Sequence, residues 1–476
     1  MIFKNSFYVM LARSIDGIST FILIVLVSRY LSVADYGIYA FVMSYVVFLT
    51  LLAYGGIDRI AIHEFSVNRE SMERYLWMVL GLTGALTAVF ILICMLGLLF
   101  FDNSNSFLQS LLLAMAGQIF FSFSSISMSL FRAMKRMDLE IVLSIVFQLI
   151  MLAATYIVTK YNLGISGIFG AFALANFFRS LFAWGLCRML GVRAVMVKVD
   201  WEELLRIIQK SFSLGVSIML MQGILNMDVL LLRYLNFAEG VSFFYAAHNL
   251  MWKFNKAVPA AMAIAVFPIL SAIISNSPAD HFRKLYRKLF KLFYIPAIFA
   301  SIGGVAYSSE IIALVYGEKY AVATDAFRVI MTGEAFVFVF MFLELVMISV
   351  ERQNSLIIST ALALTAKIVL SVLFIPSYGF IGSAVASLGG YVILTVVTFY
   401  YIRLSSGNIP AGDIIRPIGA AVPVGVFFYF SGVLQINPFI GLSVGAMIFA
   451  GMLVVFGSVS WVQLLSFKKM LSSKEF

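Results

Sequence analysis

The sequence predicts an all-α polytopic membrane protein with about 14 transmembrane helices, as two pseudo-symmetric six-helix lobes plus a C-terminal two-helix hairpin. Composition is the first observation behind this. Of 476 residues, 62% are hydrophobic and only 12% charged, with a mean hydropathy of +1.01. A soluble domain carries roughly 25% charged residues, so lipid must solvate this much apolar surface. The second observation is a succession of apolar runs, each near the roughly 20 residues that cross a bilayer as a helix, without barrel-type alternation. The third is a repeat. Arg29-Tyr30-Leu31-Ser32-Val33-Ala34-Asp35 returns as Arg233-Tyr234-Leu235-Asn236-Phe237-Ala238-Glu239, each copy between two apolar runs.

In chain order, spans are expected near 8–28, 37–57, 76–101, 108–131, 139–159 and 165–187 in an N-terminal lobe, residues 1–187. The first run outlasts a signal-peptide core and reads as a retained span. Residues 188–210 are expected to form a cytoplasmic interfacial linker helix. There Asp200 and Glu203 resemble a capping box, and Trp201, Leu204, Leu205 and Ile208 make one apolar face. The C-terminal lobe, 211–402, has runs near 212–232, 241–272, 289–307, 327–349, 355–375 and 380–402. Residues 403–476 add a hairpin, near 417–434 and 439–460, and a basic tail.

A second landmark supports the duplication. Tyr161-Asn162-Leu163-Gly164-Ile165-Ser166-Gly167 corresponds to Pro376-Ser377-Tyr378-Gly379-Phe380-Ile381-Gly382, with glycines three apart in both. An even number of spans per copy makes the repeats parallel, related by an axis along the membrane normal. Gly37, Gly164 and Gly379 are read as turn glycines, a reading favoured over ligand contact.

The net charge of +10 is not a nucleic-acid signature, because its distribution is topogenic. With the N-terminus cytoplasmic, 23 of the 33 Lys and Arg fall on that side, and only Arg29, Lys160, Arg233, Lys319 and Arg328 fall opposite. The bias places both termini in the cytoplasm. The Arg283–Lys291 cluster is expected to touch anionic headgroups.

No enzyme constellation is present. His63, His248 and His281 are scattered, and no metal spacing, Walker A segment or dinucleotide fingerprint occurs. The chain is therefore expected to be a transporter rather than an enzyme, with no cofactor and no metal. The informative residues are charges inside spans, namely Arg13, Arg179, Lys253, Lys256 and Lys367, and Asp16, Asp228, Glu334 and Glu344. Each costs about 2.5–3.5 kcal/mol at the centre of an inserting helix; Arg13 and Arg179, near helix ends, can snorkel, and the remainder should line a cavity or pair. In the eighth span Tyr245, Asn249, Lys253 and Lys256 share a helix face, with Trp252 beside it and His248 and Asn255 widening it. Lysines attract phosphate, and Tyr and Trp offer flat faces to sugar rings. Lys253 and Lys256 are read as cavity-lining substrate contacts, against the alternative that they pair with Asp228 or Glu334. Lys367 is a second cavity candidate. Arg13 and Asp16, one turn apart, form either a structural pair or a coupling site, and Asp228, Glu334 and Glu344 are coupling or pairing candidates.

Arg29-Tyr30-Leu31 with Asp35-Tyr36-Gly37-Ile38-Tyr39, Tyr316-Gly317-Glu318-Lys319-Tyr320, and Ile375 to Gly382 resemble signatures of Wzx-type polysaccharide (O-antigen) flippases. These belong to the multidrug/oligosaccharidyl-lipid/polysaccharide exporter superfamily. The resemblance covers about residues 1–402. It implies two six-helix lobes around a central cavity in a bacterial inner membrane. It also implies alternating-access transfer of undecaprenyl-diphosphate-linked oligosaccharide, coupled to a proton or cation gradient. Implied partners are the lipid-linked oligosaccharide and the polysaccharide polymerase and chain-length machinery. The competing readings are a multidrug cation exporter of the same superfamily and a membrane-embedded polysaccharide polymerase or transferase.

Overall fold

The computed structural model describes residues 2–54, 57–67, 72–98, 104–192, 201–263, 266–267, 270, 279–350, 352–406, 409–434 and 436–459. Every regular element among them is helical. The chain divides into two compact units, residues 1–245 and 246–476.

The first unit holds α1 (Ile2–Tyr30), α2 (Val33–Tyr54), α3 (Ile57–Val67), α4 (Met72–Gly97), α5 (Asn105–Ala133), α6 (Met137–Lys160), α7 (Gly164–Met189), α8 (Trp201–Tyr234) and the start of α9 (Ala238–Ala257). The second holds the rest of α9, α10 (Ala279–Ala306), α11 (Ser308–Tyr316), a 3-10 turn at Glu318–Tyr320, α12 (Ala323–Thr332), α13 (Glu334–Ser349), α14 (Gln353–Ser406), α15 (Ala411–Val433) and α16 (Pro438–Val455). Nine of the described helices are long and apolar enough to cross a membrane, and a tenth if α12 and α13, bent by 44°, are one span. α14 has 54 residues, about 81 Å if straight, which is far more than one bilayer. It is two spans joined at Gly379, whose φ of 56° and ψ of −133° are non-helical. α1, α8 and α9, of 29, 34 and 20 residues, are also long enough to cross a bilayer.

In the first unit α5 and α7 form the most extensive helix pair. Both helices bury small residues, Ser110, Ala114 and Gly117 on α5 and Ala171 and Ala175 on α7. A Cβ at Gly117 would lie 2.5 Å from Phe172 Cδ1 and 3.2 Å from Ala173 Cα. In lipid, where burial of apolar surface gives little drive, such close backbone approach supplies the packing. Cys94 and Cys187 are free and buried.

The landmarks find local reasons. Ser32 caps α2, accepting from Asp35 N at 3.0 Å and donating to Asp35 Oδ2 at 2.7 Å. In the second copy Asn236 takes its place with φ of 66°, a left-handed conformation that asparagine tolerates. Tyr30 Oη accepts from Gly164 N at 2.8 Å, tying the first landmark to the second. Gly164 (φ 68°) and Gly379 are turn glycines as expected. Gly37 is not: it lies inside α2, with Ala238 O 3.5 Å from where its Cβ would be. The start of α2 thus faces the start of α9, and the two repeated segments line a cavity of about 150 Å³ with Gly37, Phe41, Arg233 and Glu239.

The expected linker helix and seventh span are one continuous helix, α8. No glycine or proline interrupts residues 201–214, so nothing breaks the backbone at 210. Residues 193–200 and 460–476, and the side chains of Trp201, Leu204 and Ile208, lie outside the described residues. In the second unit aromatic side chains from α10, α13, α15 and α16 fill the core, including Phe293, Phe342, Phe428 and Phe449. Two members of the Arg283–Lys291 cluster pair with a buried carboxylate. Arg287 Nε and Lys291 Nζ each lie 2.8 Å from a carboxylate oxygen of Asp413, which is 5% exposed.

Candidate functional site

The ionisable side chains inside spans form two groups, one within each unit. In the first, residues of α1, α5, α6 and α7 line an open cavity of about 530 Å³. The α5–α6 turn, closed by Lys135 at φ 58°, folds Arg132 back onto Glu140. Arg132 Nε donates to Glu140 Oε2 at 2.9 Å and Nη2 to the other carboxylate oxygen. Glu140, Ser144 and Gln148 recur every four residues, so α6 presents one polar face to the cavity. Gln148 Nε2 donates to Asp16 Oδ1 at 3.2 Å. Arg179 closes the site from α7. Its guanidinium lies over the rings of Phe121 (5.1 Å) and Phe147 (5.5 Å), with Nη2 2.8 Å from Met128 Sδ. Arg13 is helical in α1, but its side chain lies outside the described residues, so the expected Arg13–Asp16 pair does too.

In the second unit α9 carries two polar faces instead of one stripe. His248 and Asn255, seven residues apart, share the buried face, 5% and 0% exposed. His248 Nε2 is 2.9 Å from Tyr391 Oη. The face of the same tyrosine ring receives Lys367, whose Nζ is 5.7 Å from the centroid. Lys367 is fully buried, its stem against Gly390. Asn255 Nδ2 donates to Glu334 Oε2 at 3.3 Å. Glu334 is the first residue of α13, directly after the bend at Gly333, and is fully buried. Asn249 and Trp252 are half-buried, Lys253 half-buried and Lys256 exposed, with Lys256 Nζ 5.6 Å from the Trp252 ring. Glu344 is half-buried on α13. The other two predicted residues belong to the first unit. Asp228 is fully buried on α8, and Tyr245 stands edge-on to Tyr36 (5.9 Å) and Tyr39 (6.4 Å). Of the predicted set, the structure thus brings His248 and Lys367 together through Tyr391. It binds Glu334 to Asn255 rather than to either lysine.

Sequence reasoning missed Gln148, the Arg132–Glu140 pair and Tyr391, and treated Arg179 as a snorkelling side chain. The four-residue spacing of Glu140, Ser144 and Gln148 in an apolar run is a legible signal of the α6 face. Among the described residues, no group of three or more His, Cys, Asp or Glu could hold a metal ion.

A family model described as polysaccharide biosynthesis protein matches residues 2–274. A relative described as "Probable low-salt glycan biosynthesis flippase" from Haloferax volcanii is 26% identical over 203 residues, which covers 41% of this chain and 41% of that relative. The match therefore spans less than half of the relative's length. Among solved structures, the lipid II flippase MurJ in an inward closed conformation superposes with a TM-score of 0.75 at 14% identity, covering 97% of this chain and 100% of MurJ. An inward-facing multidrug resistance MATE transporter of the MOP superfamily gives 0.68 at 14% identity, covering 83% and 94%. At such identities the likeness is one of fold. The resemblance read from the sequence is borne out at the level of the family: the chain belongs to the polysaccharide biosynthesis protein family and has the polytopic helical fold of MurJ and the MATE transporters.

Proposed function

We propose that this protein is a flippase that carries undecaprenyl-diphosphate-linked oligosaccharide, an O-antigen or related surface-polysaccharide unit, from the inner to the outer leaflet of the bacterial inner membrane by alternating access. The observation that carries this reading is the family match over residues 2–274, joined to a fold shared along 97% of the chain with a lipid II flippase. The excess of Lys and Arg in alternate loops supports cytoplasmic termini. The fully buried carboxylate of Glu334 supports coupling to a proton or cation gradient. The substrate's fate after transfer places a polymerase and chain-length machinery downstream as partners. Lys253, Lys256, Asn249 and Trp252 are proposed to contact the diphosphate and sugars, with no catalytic residue required.

Deleting the gene should abolish surface polysaccharide and accumulate lipid-linked repeat units on the cytoplasmic face. Normal polysaccharide without that build-up would refute the reading. One observation favours a second reading, a multidrug cation exporter: the carboxylate of Asp16 lines the first-unit cavity. Drug efflux lost in Asp16→Asn with glycolipid export intact in Lys253→Ala would select it. A purified preparation that extends glycans unaided would instead indicate a polymerase or transferase.

A further inference from the structure

Two residues that line the first-unit cavity each carry a buried, unmet hydrogen-bonding atom, and the two are of opposite sense. Arg179 Nε is a buried donor with no hydrogen-bond partner, and among the described residues no carboxylate lies within ion-pair distance of its guanidinium. Its contacts are two ring faces and a thioether, while the carboxylates of Asp16 and Glu140 face the same cavity without pairing with it directly. Gln148, 6% exposed, leaves Oε1 buried as an acceptor with no donor. Arg132, by contrast, is engaged bidentately by Glu140. A buried charge or amide left in this state is costly, and a ligand that supplied the missing partners would relieve it.

Resting on the flippase reading, we infer that the α1–α5–α6–α7 cavity is a binding site for a glycosyl phosphate head group, with Arg179 on the phosphate and Gln148 and Asp16 on sugar hydroxyls. The planar guanidinium fork matches phosphate oxygens in pairs, and the rings of Phe121 and Phe147 fix its plane. Hydroxyl groups are the donors that Gln148 Oε1 lacks and that a carboxylate such as Asp16 also accepts. The volume, about 530 Å³, lies within the roughly 300–1,000 Å³ of small-ligand pockets. A bare lipophilic cation would find Asp16 but would leave Arg179 opposed, and a simple anion would leave Gln148 unmet.

The test titrates full-length protein in lipid nanodiscs with glucose 1-phosphate, and in parallel with glucose, inorganic phosphate and tetraphenylphosphonium. Glucose 1-phosphate should bind saturably and about tenfold more tightly than glucose or phosphate. Arg179→Gln should weaken it about tenfold or more and Gln148→Leu about threefold. Arg179→Lys, which keeps the charge and loses the fork, should weaken it about threefold and serves if the other variants do not fold. Absence of saturable sugar-phosphate binding, or equal binding by wild type and every folded variant, overturns the inference. So does tighter binding of tetraphenylphosphonium that Asp16→Asn removes. Leaflet transfer of lipid-linked oligosaccharide by a protein whose cavity binds no sugar phosphate would sink this site and leave the flippase reading. Sugar-phosphate binding without leaflet transfer would do the reverse.

Discussion

Substituting Gly382 by alanine tests the joint that makes two spans of α14. A Cβ there would overlap the carbonyl oxygen of Phe374 and stand 2.5 Å from its carbon and 2.9 Å from Ile375 N. These are backbone atoms, so no rotamer change relieves the clash, and the preceding helix end must move. Overpacking of this kind costs typically 1–3 kcal/mol. For a folding unit of about 200 residues each kcal/mol lowers Tm by about 2–4 °C, so the variant should melt about 2–12 °C below wild type. Gly389→Ala is the internal control. Its new Cβ meets only Leu370 Cδ1 at 2.5 Å, the tip of a flexible side chain. The residue lies in helical backbone, where alanine restricts the unfolded chain, so its melting point should stay near wild type. The assay is thermal unfolding of detergent-solubilised protein followed by size-exclusion fluorescence. A Gly382→Ala protein as stable as wild type, or more stable than Gly389→Ala, would refute the described approach of the two α14 segments.

Three other outcomes follow from separate contacts. Ser32→Ala removes the cap from Asp35 N and should lower stability by about 1 kcal/mol, read as a small fall in melting temperature. Asp413→Asn weakens the contacts with Arg287 and Lys291. Because the Arg287 side chain is 47% exposed, the loss should be only about 1–2 kcal/mol, and the gap from wild type should narrow in about 1 M salt. Under the flippase reading, joint replacement of Lys253 and Lys256 by glutamate should abolish polysaccharide export, whereas replacement by arginine should preserve most of it. Full export by the double-glutamate variant would remove the lysines from any electrostatic role.

Much of the architecture is legible because lipid imposes a single rule, that backbone groups be satisfied within the helix. Apolar run length therefore locates α2 and α4 to α7 within a few residues. The same rule cannot foresee α11 and the 3-10 turn at Glu318–Tyr320, nine and three residues long and so too short to cross a bilayer. Nor does run length separate the faces of α9. His248, Asn255, Lys253 and Lys256 all look like one polar stripe until the positions of Tyr391 and Glu334, more than 75 residues away, decide which side is buried. Arg179 was hidden for the same reason. A cation near the end of a span reads as a snorkelling side chain, and only the convergence of Phe121, Phe147 and Met128 from two other helices keeps it inside.

The close contact between α5 and α7 also has a mechanical meaning. With Gly117 set against Phe172 and Ala173 there is no slack along that contact, and close-packed interiors resist compression. Two of the four walls of the first-unit cavity, those carrying Arg132 and Arg179, therefore behave as a single stiff plate. The α6 wall packs along α7 as well as along α1, so it links this plate to the remaining side of the cavity. The hydrogen bond between Asp16 and Gln148 is one polar tie in a seam along which α1 and α6 also pack closely, so a change in cavity volume has to shift that whole seam.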